Sequence, residues 1–280
     1  MKTNWELRYA AHPLDAKSYD TKRLRADFHI PTIFTADEVN MVYSMYDRMI
    51  VGGAMPQKEV LPLETIDALK QACFLHSREI GIYNVGGPGI IRVDGMVFEL
   101  DYKEALYLGS GNRQVEFESK NAEKPALFYF NSTPAHRNYP DRKITKADAI
   151  SVEMGALETS NHRTINKMIV NQVLPTCQLQ MGMTELFPGS VWNTMPAHIH
   201  SRRMEAYFYF EVPDGQAICH FMGEPQETRP IWMQGNQAVL SPEWSIHSAA
   251  GTASYTFIWG MGGENLDYGD QDFFPITDLK

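Results

Sequence analysis

HIHSRRMEAYFYF, His198 to Phe210, is the stretch whose reading decides the fold. His198 and His200 are two apart, so on a strand both imidazoles point to one face. Glu205 has the opposite parity, and the polar Ser201–Arg202–Arg203 is expected to supply the turn that intervenes. From Glu205 the residues alternate, with Glu205, Tyr207 and Tyr209 on one face and Ala206, Phe208 and Phe210 on the other. That period of two, in a segment rich in aromatics, reads as antiparallel strand and not as helix.

An earlier stretch resembles it. FLHSREIGIYNV (74–85) aligns on HIHSRRMEAYFYF when the chain is slid by 124 positions, which sets His76 on His200, Gly81 on Glu205 and Tyr83 on Tyr207. ALYLGSGNRQV (105–115) aligns on AVLSPEWSIHS (238–248) at 133, which sets Gly109 on Pro242, Gly111 on Trp244 and Gln114 on His247. The nine-residue difference between the offsets fits a loop insertion. A duplication follows, with one barrel in residues 1–150, a second in 151–280, and a boundary within the Pro-rich, polar stretch 132–160.

Short strand signals fill most of the remainder: EIGIYNV (79–85), GIIRVDGMVFEL (89–100), ALYLG (105–109), ALFYF (126–130), TCQLQMGMTEL (176–186), QAICHFM (216–222), QAVLS (237–241) and SYTFIWGM (254–261). Leu63 to Cys73 is read as a short helix, and Thr35 to Arg48 is ambiguous, with Thr35 and Glu38 at capping-box spacing but an imperfect apolar pattern. The expected fold class is all-β dominated, two jelly-roll-like barrels with a few short helices.

Composition sets the outer limits. The 280 residues are 44% hydrophobic and 21% charged, enough to bury a core. A net charge of −9 argues against a large nucleic-acid surface or an anionic membrane, both of which call for clustered Lys and Arg. Three widely spaced cysteines, Cys73, Cys177 and Cys219, argue against a disulfide framework and for a reducing compartment. The polar start MKTNWELRYAAHPLDAKSYD lacks the apolar core of a signal peptide, and no apolar run approaches the roughly 18 residues of a membrane span. A soluble cytoplasmic protein is expected.

Four residues carry the chemistry. His198, His200 and Glu205 are joined by His247, which follows the turn Pro242–Glu243–Trp244–Ser245. Three imidazole nitrogens and one carboxylate suit a borderline divalent metal such as Zn, Mn, Fe, Co or Ni. The other histidines read differently. His12 and His29 are assigned to the surface, and His220 to the core of a strand. His76 has Phe74, Gly81 and Gln114 in place of partners, so the first barrel is expected to hold no metal.

His-x-His, Glu five residues on and a distant Pro-x-x-x-x-His resemble the two motifs of the cupins, small barrels that hold a metal inside. Trp244 departs from the Gly common in cupins and Gly251 from an Asn. A closer resemblance is to the 5-keto-4-deoxyuronate isomerase (4-deoxy-L-threo-5-hexosulose-uronate ketol-isomerase) family of pectin breakdown. TSNHRTINK (159–167), TCQLQMGMTEL (176–186), WNTMPAHIHSRRMEAYFYF (192–210), MGEPQETRPIWM (222–233), SPEWSIHS (241–248) and YTFIWGMGGEN (255–265) carry it. IVGGAMP (50–56), VDG (93–95) and ALYLGSG (105–111) extend it into the first half. The resemblance implies a bicupin and a homohexamer with one zinc per chain on His198, His200, Glu205 and His247. It also implies conversion of 5-dehydro-4-deoxy-D-glucuronate to 3-deoxy-D-glycero-2,5-hexodiulosonate through an enediol.

The substrate carboxylate calls for a cation, and Arg163 and Lys167 of TSNHRTINK are the candidates, ahead of Arg202 and Arg203. Tyr207 and Tyr209 share Glu205's parity and are expected either to line the cavity or to be core aromatics. The general base has no assignment. Two other classes use the same four ligands, an Fe(II)-dependent cupin dioxygenase and a non-catalytic ligand-binding cupin with a structural metal.

Overall fold

The computed structural model describes residues 3–264, 266 and 269–280; Met1, Lys2 and Asn265, the end of the motif 255–265, lie outside them. The signals at 79–85, 105–109, 205–210, 237–241 and 254–261 become the strands Arg78–Asn84, Ala105–Leu108, Arg203–Phe210, Gln237–Ser241 and Thr256–Gly263. GIIRVDGMVFEL is a hairpin, Gly89–Val93 and Met96–Leu100, turning on Asp94 and Gly95, both at positive φ.

Two sheets of seven and two of four strands have the same internal order except at the seventh strand of the large sheets, which follows the other six in the chain in one (Arg142–Ile144) and precedes them in the other (His29–Ile30). The first large sheet runs Thr3–Arg8, Val39–Ser44, Ile50–Ala54, Phe128–Pro134, Arg78–Asn84, Ala105–Leu108, Arg142–Ile144. The second runs Ile150–Met154, Arg163–Ile169, Gln180–Leu186, Thr256–Gly263, Arg203–Phe210, Gln237–Ser241, His29–Ile30. The small sheets run Leu61–Pro62, Val115–Ser119, Gly89–Val93, Met96–Leu100 and Trp192–Asn193, Ser248–Gly251, Ile218–Met222, Arg229–Met233. Each four-stranded sheet therefore takes its strands from the same intervals as its large sheet, which is the duplication in structural form. The copies diverge at the outer edge, where Thr3–Arg8 is parallel to its neighbour and Ile150–Met154 antiparallel.

The division of the chain is less simple than a cut at 150/151. One compact unit comprises the segment ending at Arg8, Thr32–Ala149 and Met168–Gln180; the other comprises Tyr9–Pro31, Ile150–Lys167 and Met181–Lys280. Tyr9–Pro31 goes with the second unit because His29 and Ile30 pair with Val239 and Ala238, and Phe28 packs edge-to-face on Trp244 with ring centroids 6.1 Å apart. His29, expected at the surface, is therefore buried, its Nε2 2.8 Å from Gln237 Oε1. Met168–Gln180 goes with the first unit because the backbone N–H groups of Cys177, Gln178 and Leu179 all donate to the buried Glu79 carboxylate.

The helix reading needs correction. Leu63–Cys73 holds one 3-10 turn, Asp67–Leu69, closed by Lys70 in the left-handed region, and Thr35–Arg48 resolves into the strand Val39–Ser44. Among the described residues, α-helix is confined to Pro13–Ala16 and Thr21–Phe28. Each has a side-chain cap, His12 Nδ1 accepting from Leu14 N and Asp20 accepting from Arg23 N.

The interiors of the two units differ in kind. In the first, Phe74, Leu75, Ile80, Ile82, Phe117, Phe128 and Phe130 fill one apolar cluster. The corresponding space in the second is a cavity. Gly182 helps to shape it: a Cβ there would meet the Trp259 ring at 2.1 Å, so the indole can lie against bare backbone in the cavity wall.

Candidate metal centre

His198 and Ile199 form a two-residue strand, Ser201–Arg202 turn the chain, and the strand Arg203–Phe210 begins at once. The turn corrects the parity as expected, and Glu205 reaches the face that carries both imidazoles. His247 arrives from the neighbouring loop, where Ser245 N bonds to Pro242 O and Ile246 N bonds to Gly223 O. Trp244 fills the Gly position of that turn by packing on Phe28. A side chain at Gly251 would strike Ala253 O at 2.5 Å, which accounts for that departure too.

All four side chains are buried and offer ligand atoms within 4.8 Å of one another. His198 Nε2 lies 3.2 Å from His200 Nε2 and 2.9 Å from His247 Nε2, while Glu205 Oε2 lies 3.2 Å from His200 Nε2 and 2.9 Å from His247 Nε2. Donors about 2.0–2.2 Å from one ion must lie within roughly 4.4 Å of each other, so four donor atoms mutually within 4.8 Å enclose a space close to the size a small divalent cation needs. Facing ring nitrogens have little to offer each other, whereas an ion would use every lone pair. Burial, with the neighbouring His247 and His200, lowers the His198 pKa to about 2 and keeps it neutral. Burial pushes the Glu205 carboxyl up, but His247 and His200 outweigh it and leave the group below the usual carboxylate range. Neutral imidazole and ionised carboxylate are the states that bind metal.

The cluster opens on a cavity of about 460 Å³. Arg163, Tyr207, Thr194, Trp259 and Phe257 line it with the ligands His198, His200 and Glu205. Arg163 is buried, with Nη1 donating to Asn161 O, and offers a guanidinium to the interior. Lys167, four residues further along the same strand, is absent from the lining and half-buried, and burial lowers its pKa. Of the two tyrosines, Tyr207 lines the cavity while Tyr209 is fully buried, its hydroxyl 2.7 Å from His220 Nδ1. Arg202 is an exposed partner of Glu264 and Arg203 a buried partner of Asp270, so neither reaches the cavity wall. Reasoning from the sequence missed Gln271 and Phe273, which line the cavity from the chain's far end, and Asp270, which touches His200. A two-residue strand there, Asp272–Phe273, pairs with His198–Ile199 and carries no pattern long enough to announce itself.

Fold and site together define a bicupin with one barrel equipped for a metal. The chain belongs to the KduI/IolB family, whose model matches residues 29–275. It is 76% identical over 280 residues, the whole of both chains, to the 4-deoxy-L-threo-5-hexosulose-uronate ketol-isomerase of Bacteroides fragilis. It is 51% identical over 279 residues, covering 98% of this chain and 100% of the relative, to the enzyme of that name from Lachnospira eligens. Among solved structures, an IolB-like protein from Salmonella typhimurium superposes with a TM-score of 0.66 at 14% identity, over 81% of this chain and 87% of that one. Oxalate decarboxylase from Lactobacillus farciminis does so at 0.56 and 9% identity, over 81% and 79%, a likeness of fold alone.

Proposed function

We propose that this chain is a metal-assisted ketol-isomerase that interconverts 5-dehydro-4-deoxy-D-glucuronate and 3-deoxy-D-glycero-2,5-hexodiulosonate in polyuronate breakdown. The observation that carries this reading is 76% identity along the full length of a named ketol-isomerase, in a chain that keeps a buried His3Glu cluster open to a sugar-sized cavity.

Isomerisation removes a proton beside one carbonyl and returns it one carbon along. His198, His200, Glu205 and His247 would hold a divalent ion, which would supply positive charge against the negative charge that develops on the substrate oxygens. Arg163 binds the substrate carboxylate and so sets which carbons face the cluster. Tyr207, whose ring lies 5.4 Å from that of His247, presents its hydroxyl to substrate oxygens on the cluster side. The buried Trp259 and Phe257 exclude water around the reacting carbons.

The same reading takes zinc as the ion, one per chain, and leaves the first barrel without a metal. There the structure moves the repeat alignment by one residue. Arg78 and Arg203 open matching strands, an offset of 125, so apolar Ile80 stands at the position of Glu205 and Leu75 at that of His200. His76 is exposed, with Nδ1 against Asn112 Oδ1. A homohexamer in the cytoplasm completes the reading, supported by the family resemblance; among the described residues no helix is long and apolar enough to cross a membrane.

The deciding assay incubates the zinc-loaded protein with the unsaturated-uronate product in deuterated water. Isomerisation without oxygen uptake or nicotinamide is expected, with deuterium in the product. Unlabelled product would mean a hydride shift and remove the general base, and oxygen uptake without isomerisation would establish a dioxygenase instead. Arg163→Ala is expected to lose a charge-assisted hydrogen bond of about 1.5–3 kcal/mol, or roughly 10–150-fold in kcat/KM. Lys167→Ala, away from the lining, should change it by less than about 3-fold, within the range of ordinary surface substitutions. Equal effects in both variants would remove Arg163 from the carboxylate site.

A further inference from the structure

We propose that Asp270 is a positioning residue of the metal centre, fixing the tautomer and ring orientation of His200, and that Arg203 holds Asp270 in place for it. This rests on reading the cluster as a metal site. Asp270 Oδ1 lies 2.9 Å from His200 Nδ1, and the ring is buried. An ionised carboxylate only accepts, so Nδ1 carries the proton of the neutral ring, and Nε2 is left with a lone pair. Nε2 is the atom that lies 3.2 Å from both His198 Nε2 and Glu205 Oε2, where an ion would sit. A carboxylate behind a ligating imidazole also raises its basicity.

Arg203 explains why Asp270 stays there. Its guanidinium is buried and donates through Nη2 to the same Oδ1, while its Nε and Nη1 have no hydrogen-bond partner among the described residues. A buried cation needs a counter-charge, and Asp270 supplies it. The backbone is pinned as well. Phe273 and Asp272 pair with His198 and Ile199, Phe274 N donates to Ala197 O, and Ser201 Oγ donates to Asp272 Oδ2. The segment that carries Asp270 is therefore attached on both sides of the His-x-His strand. Behind His247 stands a neutral hydroxyl instead, Ser241 Oγ at 3.4 Å from its Nδ1.

Zinc affinity, measured on the metal-stripped full chain by competition with a chromogenic chelator, tests this. Asp270→Ala is expected to weaken zinc binding about 10- to 100-fold. Asp270→Asn keeps an oxygen that can accept from Nδ1–H and should lose less, about 3- to 10-fold. Asp278→Asn, an exposed carboxylate farther along the chain and away from the ring, should bind as wild type. In a His200→Ala background Asp270→Ala should have no further effect, because the ring it orients is gone. Wild-type affinity in Asp270→Ala, or the same loss with and without His200, would overturn the proposal. If Asp270→Ala does not fold, Asp270→Asn in the two backgrounds decides on the same criteria. Failure of the metal reading itself looks different: wild type would then bind no stoichiometric zinc.

Discussion

The double substitution His198→Ala, His200→Ala is expected to abolish stoichiometric metal binding and, with it, isomerisation. Each single variant, including His247→Ala, should lose most of the metal. The four ligand atoms are mutually within 4.8 Å and come from three separate pieces of backbone, so none can move to replace another. Removing two imidazoles leaves one nitrogen and one carboxylate oxygen, too few donors to displace the water of a small divalent ion. Loss of the enediolate's counter-charge is worth several kcal/mol, or about 10³-fold or more in turnover. Metal analysis after gel filtration, run beside the isomerase assay, reads both effects. His76→Ala is the control, and its metal content should match wild type. Full occupancy in the double variant would falsify the assignment. A second metal in the first barrel would show that other residues complete a site there.

Glu79→Gln is expected to be the most damaging single change away from the cavity. The Glu79 carboxylate is fully buried and accepts five hydrogen bonds, from the hydroxyls of Tyr107 at 2.6 Å and Thr133 at 3.2 Å and from three consecutive backbone N–H groups at 2.8 Å. Both oxygens are surrounded by donors. An amide would turn its own N–H₂ toward donors on one side, strand at least the Cys177 N–H, force the Tyr107 hydroxyl to give up donating there, and replace the remaining charge-assisted bonds by neutral ones, at about 1–3 kcal/mol for each bond lost. A loss of roughly 3 kcal/mol corresponds to about 6–12 °C in the melting of a unit this size. Calorimetry of the metal-loaded protein should show the drop with zinc content unchanged. A shift under about 2 °C would mean that the carboxylate contributes little to holding Cys177–Leu179.

Glu79 lies on the strand that matches Arg203–Phe210, and these two strands explain what could be read in advance. Period-two alternation placed Arg203–Phe210 and its neighbours correctly, because barrel strands bury one face and alternate accordingly. The same period made the repeat alignment fragile. An offset of 124 set Gly81 on Glu205, but the core cluster holds Ile80 and Ile82, while Glu79 and Tyr107 bond on the opposite face. A slip of one residue exchanges the two faces, and weak identity between the copies could not detect it. The short helix read at Leu63–Cys73 failed for a related reason. Leu63 and Ile66 are buried by the barrel they pack on, and that packing overrides helix propensity.

By itself the sequence determined the bicupin class and singled out the four side chains that come together as one buried cluster, since a His-x-His strand, a turn and a strand are local objects with local signatures. Only the tertiary structure decided that Arg163 lines the cavity and Lys167 does not, that Tyr209 bonds to His220, and that residues 9–31 belong with the second unit. It alone brought Asp270 to His200 across 70 positions. These are contacts between segments far apart in the chain, set by how strands stack and how buried charges find partners. No spacing within a single segment encodes them.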